Sequence, residues 1–311
     1  MKRFLVKVVV WLLIFSLAVF LLTLGFEKRL EQCSNRTMIE HCPEYDLLIV
    51  GSSRARCHIN PIFLDSTLGT NSFNLGFDNC QFDYQTVRLQ QYLSICTKTP
   101  HTVLWCIDFL TMGQSVGYAS EYSFPFAYYD SDFVRTLKAK PGFQSSLYNI
   151  TDAAFFQFVF HRYLWKRQIE FPRLISLNME SATKGYEGLW QSWNGSEYEK
   201  IDTIEVEFNP ITKVIFEEEL LALKKQGINV IFVYTPLYYR VFDKIVNLDR
   251  MYATYDSIAQ NHNIPILDYS LCYLSKDTSY FSIALHLNSQ GSGLFSEMLA
   301  KDLDSLSLIK F

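Results

Sequence analysis

The sequence predicts an α/β protein: a doubly wound parallel sheet of five strands, preceded by an N-terminal transmembrane helix. Three observations carry this reading. Five short apolar runs are continuous rather than alternating, capped helical stretches lie between them, and one long uncharged segment stands near the N-terminus.

The apolar runs are Asp46–Val50 (DLLIV), Ser72–Leu75, Thr102–Ile107 (TVLWCI), Ile228–Tyr234 (INVIFVY) and Ile264–Leu267 (IPIL). Continuous apolarity suits strands covered on both faces, as in a parallel sheet with helices on either side. Phe82–Lys98 reads as a helix stopped by Pro100. A second helix starts at Asn209-Pro210, carries Ile211, Val214, Ile215 and Leu221, and ends with Lys224-Lys225 before Gly227. An N-cap, a proline at the first helical position, terminal cations and a closing glycine are the expected punctuation. Leu294, Phe295, Met298, Leu299 and Leu303 give an amphipathic closing helix.

Residues 111–208 break the alternation and read as an insertion. Within 118–193, nineteen of 76 residues are Phe, Tyr or Trp, or 25%, against 16% for the whole chain. That density fits a lid or substrate platform, or a helical insertion with its own aromatic core.

Val8–Phe26 is nineteen residues without a charge, long enough to span a hydrocarbon core of about 30 Å. No small-x-small cleavage site follows it, so residues 1–30 read as an uncleaved signal anchor with its flank, and 31–311 as the α/β domain. Lys2, Arg3 and Lys7 before the span are matched by Lys28, Arg29 and Arg36 after it. A short N-terminal stub ahead of a long domain then places the N-terminus in the cytoplasm and the domain outside, as a single-pass membrane protein.

The chain is 49% hydrophobic and 19% charged, too apolar for disorder. Net charge is −4; residues 1–26 hold three cations and no acid, so the remainder carries −7. Such a surface argues against nucleic acid as a partner. Seven cysteines are too scattered for a disulfide scaffold. Cys33 and Cys42 could pair, whereas Cys57, Cys80, Cys96, Cys106 and Cys272 read as small core residues. No C-x-x-C pair or histidine cluster calls for a metal, and no motif calls for a cofactor.

In a doubly wound sheet, ligands gather at the carboxyl ends of the strands. The first run ends in Gly51-Ser52-Ser53-Arg54, and Leu285-His286-Leu287-Asn288-Ser289-Gln290-Gly291 stands before the closing helix. DLLIVGSSR resembles the first block of the SGNH (GDSL-type) hydrolases, and LHLNSQG resembles their last block. More closely, GSSRARCHINP…NLG…HLNSQG is similar to membrane-anchored SGNH-like proteins of bacterial surface-polysaccharide loci. The resemblance covers about residues 46–303 and implies a flavodoxin-like sheet with a serine-dependent acyl site.

Residue by residue, the resemblance implies Ser53 as nucleophile, His286 as general base, and the Gly76 and Ser53 amides as oxyanion donors. Two departures stand out. The family carries Asp three residues before the histidine, where this chain has Ile283, and its G-x-N-D block is replaced by Ile107-Asp108-Phe109-Leu110. Asp277 and Asp268 are the candidate orienting acids in its place. Arg54, Asp108, Trp190 and Trp193 are candidate substrate contacts, and His58 reads as structural.

Two functions follow. One is a membrane-anchored serine esterase or O-acyl (acetyl) transferase acting on acylated cell-surface carbohydrate. The other is a non-catalytic binding or assembly component of an envelope polysaccharide system, favoured by the two departures. Protein partners are not legible in the sequence.

Overall fold

A computed structural model describes residues 2–4, 6–8, 10–17, 44–78, 81–113, 182–196, 198–206 and 208–309. Its centre is a five-stranded sheet: β1 (Leu47–Gly51), β2 (Ser72–Asn74), β3 (Thr102–Cys106), β4 (Asn229–Tyr234) and β5 (Ile266–Asp268). The order is β2-β1-β3-β4-β5 and every pairing is parallel. The order reverses beside β1, so the crevice past the carboxyl ends of β1 and β3 is the topological switch point.

Each predicted strand is present with small shifts; β5 starts two residues later than the apolar run, and β1 extends to Gly51. β1 and β3 are buried along their whole length, which explains why their sequences do not alternate.

Helices cover both faces. α1 (Ser53–His58) and α2 (Pro61–Leu68) follow β1, α3 (Phe82–Ile95) precedes β3, and α4 (Pro210–Lys225) precedes β4. α5 (Leu248–His262) precedes β5, and α6 (Ser289–Ser305) closes the fold. The predicted Asn209 cap is present: its side chain accepts from the Ile211 amide, with proline at the first turn. α3 ends at Ile95, three residues short of the expected Lys98, because Cys96 is already extended.

The core lies between sheet and helices, where Trp105 meets Phe82 and Phe216 at ring-centroid distances of 5.8 and 4.9 Å. Trp105 also satisfies its indole N–H on Gln85 Oε1 at 2.8 Å.

The described part of the predicted insertion stays out of the sheet. Ala182–Thr183 forms a short hairpin with Tyr186–Glu187, and Ile204–Glu205 pairs in parallel with Ile245–Val246. Residues 114–181 of that insertion lie outside the described residues.

Among the described residues no helix is long and apolar enough to cross a membrane. Residues 10–17 are helical, while 18–26 of the predicted span, like Cys33 and Cys42, lie outside the described residues. One cysteine reading is corrected. Cys57, Cys106 and Cys272 are free, but Cys96 is disulfide-bonded.

Candidate active site

Ser53 is the first residue of α1, just past the carboxyl end of β1. Ser52 caps that helix, with an extended backbone and a side-chain oxygen facing the Arg54 amide at 3.4 Å. The turn needs glycine: Gly51 has φ +153°, and a Cβ there would lie 2.8 Å from both Ala55 Cβ and Cys106 Cβ.

His286 arrives from the other end of the chain. It opens β7 (His286–Leu287), which pairs antiparallel with β6 (Phe281–Ile283) so that Ile283 faces His286. Asn288 then caps α6: Oδ1 accepts from the Gly291 amide at 2.9 Å, while Nδ2 donates to the Ser279 carbonyl at 2.7 Å. One side chain thus fixes both the start of α6 and the approach to the hairpin.

These two elements bring Ser53 Oγ and His286 Nε2 to 2.8 Å, across 233 residues of sequence. Ser53 follows β1 directly, and His286 is brought to it by the hairpin ahead of α6. Burial and the nearby Arg54 cation push the His286 imidazole down to about 4, against weaker opposing pulls from Asp78 and Asp108. At neutral pH the ring is therefore uncharged and able to take a proton.

The predicted orienting acids are engaged elsewhere. Asp277 Oδ1 accepts from the Ser279 amide at 2.9 Å, capping a short 3₁₀ turn, and this bond lowers its carboxyl below the usual range. Asp268 Oδ1 accepts from the Ser270 amide and hydroxyl at 2.8 and 2.5 Å. An acid at a loop start is drawn to the nearest exposed N–H, and both of these found one two residues on. Among the described residues no carboxylate pairs with His286.

Gly76 also differs from expectation. Its N–H donates to Asn74 Oδ1 at 2.8 Å rather than standing open to a substrate. What Gly76 supplies is closeness, since a Cβ there would lie 2.4 Å from the Arg56 backbone nitrogen. Asn74, which sequence reasoning passed over, is fully buried, and its Nδ2 donates to the carbonyls of Ala55 and Ile59 at 2.7 and 2.8 Å. It ties the end of β2 to both α1 and the residue after it. The signal was a buried Asn at a strand end, where polar side chains must find backbone partners.

Arg54 and Asp108 form a buried ion pair rather than an open substrate contact; they are 6% and 4% exposed, with Nη2 2.7 Å from Oδ2. Nη2 makes no aligned hydrogen bond, so the attraction is chiefly electrostatic. Asp108 also accepts from Ser52 Oγ at 2.5 Å and from the Leu110 amide at 2.7 Å, while the Arg54 guanidinium lies over the Phe109 ring. Trp193 is 7% exposed and meets Tyr238 edge-on, which makes it a core residue. Trp190 is 82% exposed. It follows Leu189, whose carbonyl accepts the Ser289 amide at 2.8 Å, three residues beyond His286.

Among the described residues no group of three or more His, Cys, Asp or Glu side chains could hold a metal ion. No family model and no curated protein matches the chain. Among solved structures it is similar to a GDSL-like lipase from Bacteroides thetaiotaomicron, at 11% identity and TM-score 0.39, over 84% of this chain and 88% of that one. It is also similar to the acetyl xylan esterase AlAXEase, at 10% identity and TM-score 0.40, over 84% of this chain and 98% of that one. At this level of likeness they assign neither a family nor a reaction.

Proposed function

We propose that this chain is a serine esterase or O-acyltransferase of the SGNH type, acting on acylated carbohydrate outside the membrane that residues 8–26 anchor it to. The observation that carries the reading is the 2.8 Å approach of Ser53 Oγ to a neutral His286 Nε2 at the switch point of the sheet.

In this reading Ser53 Oγ attacks the ester carbonyl while His286 Nε2 takes its proton. The ester C–O bond then breaks, and the imidazolium returns the proton to the leaving alcohol. Water, or a sugar hydroxyl, releases the acyl group from Ser53 by the reverse sequence. The oxyanion rests on the Ser53 amide, which at the first helical position has no carbonyl to meet within α1. Exposed Trp190 offers a face on which a sugar ring can stack. The disulfide at Cys96 fits an oxidising compartment and so supports the exported placement.

A second reading, a non-catalytic binding or assembly component, is favoured by the engagement of Asp268 and Asp277 away from His286. One experiment separates the two. The full-length chain in detergent is tested for reaction with a fluorophosphonate and for turnover of acetyl esters, beside Ser53→Ala and His286→Ala. The esterase reading expects turnover in the wild type and a fall of at least about 10³-fold in each variant. Equal rates in all three proteins would reject it.

A further inference from the structure

α1 carries Ser53 at its first residue and His58 at its last, and both side chains reach the element that delivers His286. The Leu287 N–H donates to His58 Nε2 at 3.1 Å, one residue after the base. The two imidazole rings meet edge-on with centroids 5.9 Å apart. The opposite side of His58 is held as well: its carbonyl accepts from Ser292 Oγ at 3.1 Å and Ser296 Oγ at 3.4 Å, both on the helix that follows His286.

We infer that His58 is a positioning residue, whose Nε2 anchors the Leu287 amide and so sets the His286 ring against Ser53. The inference rests on the serine-esterase reading above. Ordinarily a carboxylate on the second ring nitrogen would hold such a base. Here the candidate carboxylates are bound elsewhere, and position is imposed through the main chain instead. Because Ser53 and His58 share one six-residue helix, the distance from nucleophile to anchor is a rigid span, about 7.5 Å of helical rise. The amide bond locates the His286 backbone, and the edge-on contact limits rotation of its ring.

The role demands a neutral His58 with its proton on Nδ1, since only an unprotonated Nε2 can accept from an amide. Full burial, with His286 and Arg54 nearby, lowers its pKa well below the usual histidine value, against a weaker opposing effect of the Leu285 backbone.

The test compares full-length wild type, Ser53→Ala, His58→Leu and His58→Gln by fluorophosphonate labelling rate and by kcat and KM on p-nitrophenyl acetate. Leucine fills the space without an acceptor, while glutamine presents Oε1 near the place of Nε2. We expect His58→Leu to lose about tenfold to a hundredfold in labelling rate and kcat with KM little changed, the cost of a small misplacement of the base. His58→Gln should recover most of that loss. A folded His58→Leu that labels like wild type, or equal losses in both His58 variants with folding intact, would overturn the inference. Should His58→Leu not fold, ¹⁵N NMR of wild-type His58 decides: a proton on Nδ1 supports the role and a proton on Nε2 overturns it. Failure of the esterase reading looks different, because wild type and Ser53→Ala would then react alike.

Discussion

Arg54 Nη2 lies 2.7 Å from Asp108 Oδ2 in a buried ion pair, and the same cation reaches His286 electrostatically. Ser52 donates to that carboxylate, so the helix cap, the ion pair and the base form one electrostatic unit. Several outcomes of this arrangement can be measured.

The first is the pH dependence of the acyl step. His286 must be neutral to accept the Ser53 proton, and burial with Arg54 sets its titration at about 4. The fluorophosphonate labelling rate of the full-length chain should therefore rise as pH passes through about 4 and be level by neutrality. Far-UV circular dichroism at each pH keeps unfolding separate from titration. An inflection near the ordinary histidine value, about 6.5, would contradict the placement of the ring.

Stability should also depend on pH, with a definite sign. His58 and His286 are both held neutral in the fold by lowered pKa values, whereas the unfolded chain protonates them below about 6.5. The unfolded state thus binds more protons in the window below about 6.5, and stability falls with pH there by up to about 1.4 kcal/mol per unit for each histidine. Urea midpoints at about pH 7 and about pH 5 measure this. The His286→Gln variant should show a shallower loss than wild type.

Asp108→Asn should be strongly destabilising, by about 3–5 kcal/mol, because it leaves the Arg54 charge buried without its partner. Replacing both partners, as Arg54→Met with Asp108→Asn, should recover a large part of that loss. Denaturant unfolding of the two variants beside wild type checks the ion-pair account; similar midpoints for the single and double variants would reject it.

Gly76→Ala should displace α1, since the new methyl would lie 2.4 Å from the Arg56 backbone nitrogen, an atom with little freedom to move. The expected cost is about 1–3 kcal/mol in stability, with a fall in labelling rate. Gly113→Ala, whose single near neighbour is the Leu110 carbonyl oxygen at 3.3 Å, a tight contact but not an overlap, serves as the comparison and should cost clearly less.

Trp190→Ala tests the carbohydrate side of the proposal. With the indole 82% exposed, its removal should change stability by less than about 0.5 kcal/mol. KM for an acetylated oligosaccharide should rise about tenfold, the loss of roughly one stacking contact of 1.4 kcal/mol, while p-nitrophenyl acetate turnover is unchanged. A parallel rise for both substrates would show that Trp190 shapes the site rather than the sugar's place in it.

Hydrophobic pattern and punctuation were enough to locate all five strands, the Asn209-capped helix and the closing helix. Burial on both faces forces continuous apolar runs, and Asn, Pro, Lys and Gly mark helix ends through local backbone chemistry. The short α1 and the β6–β7 hairpin left weaker local marks, being too short to show a period, whereas α5 buries Met251, Tyr255, Ile258 and Ala259 at helical spacing, a local mark that the reading passed over.

The candidate site divides along the same line. Ser53 and His286 were legible because each sits at a strand end or helix start with a recognisable neighbourhood. Which groups surround them depends on the donors and acceptors that the fold sets side by side, some from neighbouring residues and some from distant parts of the chain. Asn74 took the Gly76 amide, Asp108 took Arg54, and His58 took Leu287, while Asp268 and Asp277 satisfied amides two residues on. Local pattern decides where a polar side chain stands; only the folded arrangement of competing donors and acceptors decides what it holds, because each buried group binds the nearest partner that repays its desolvation.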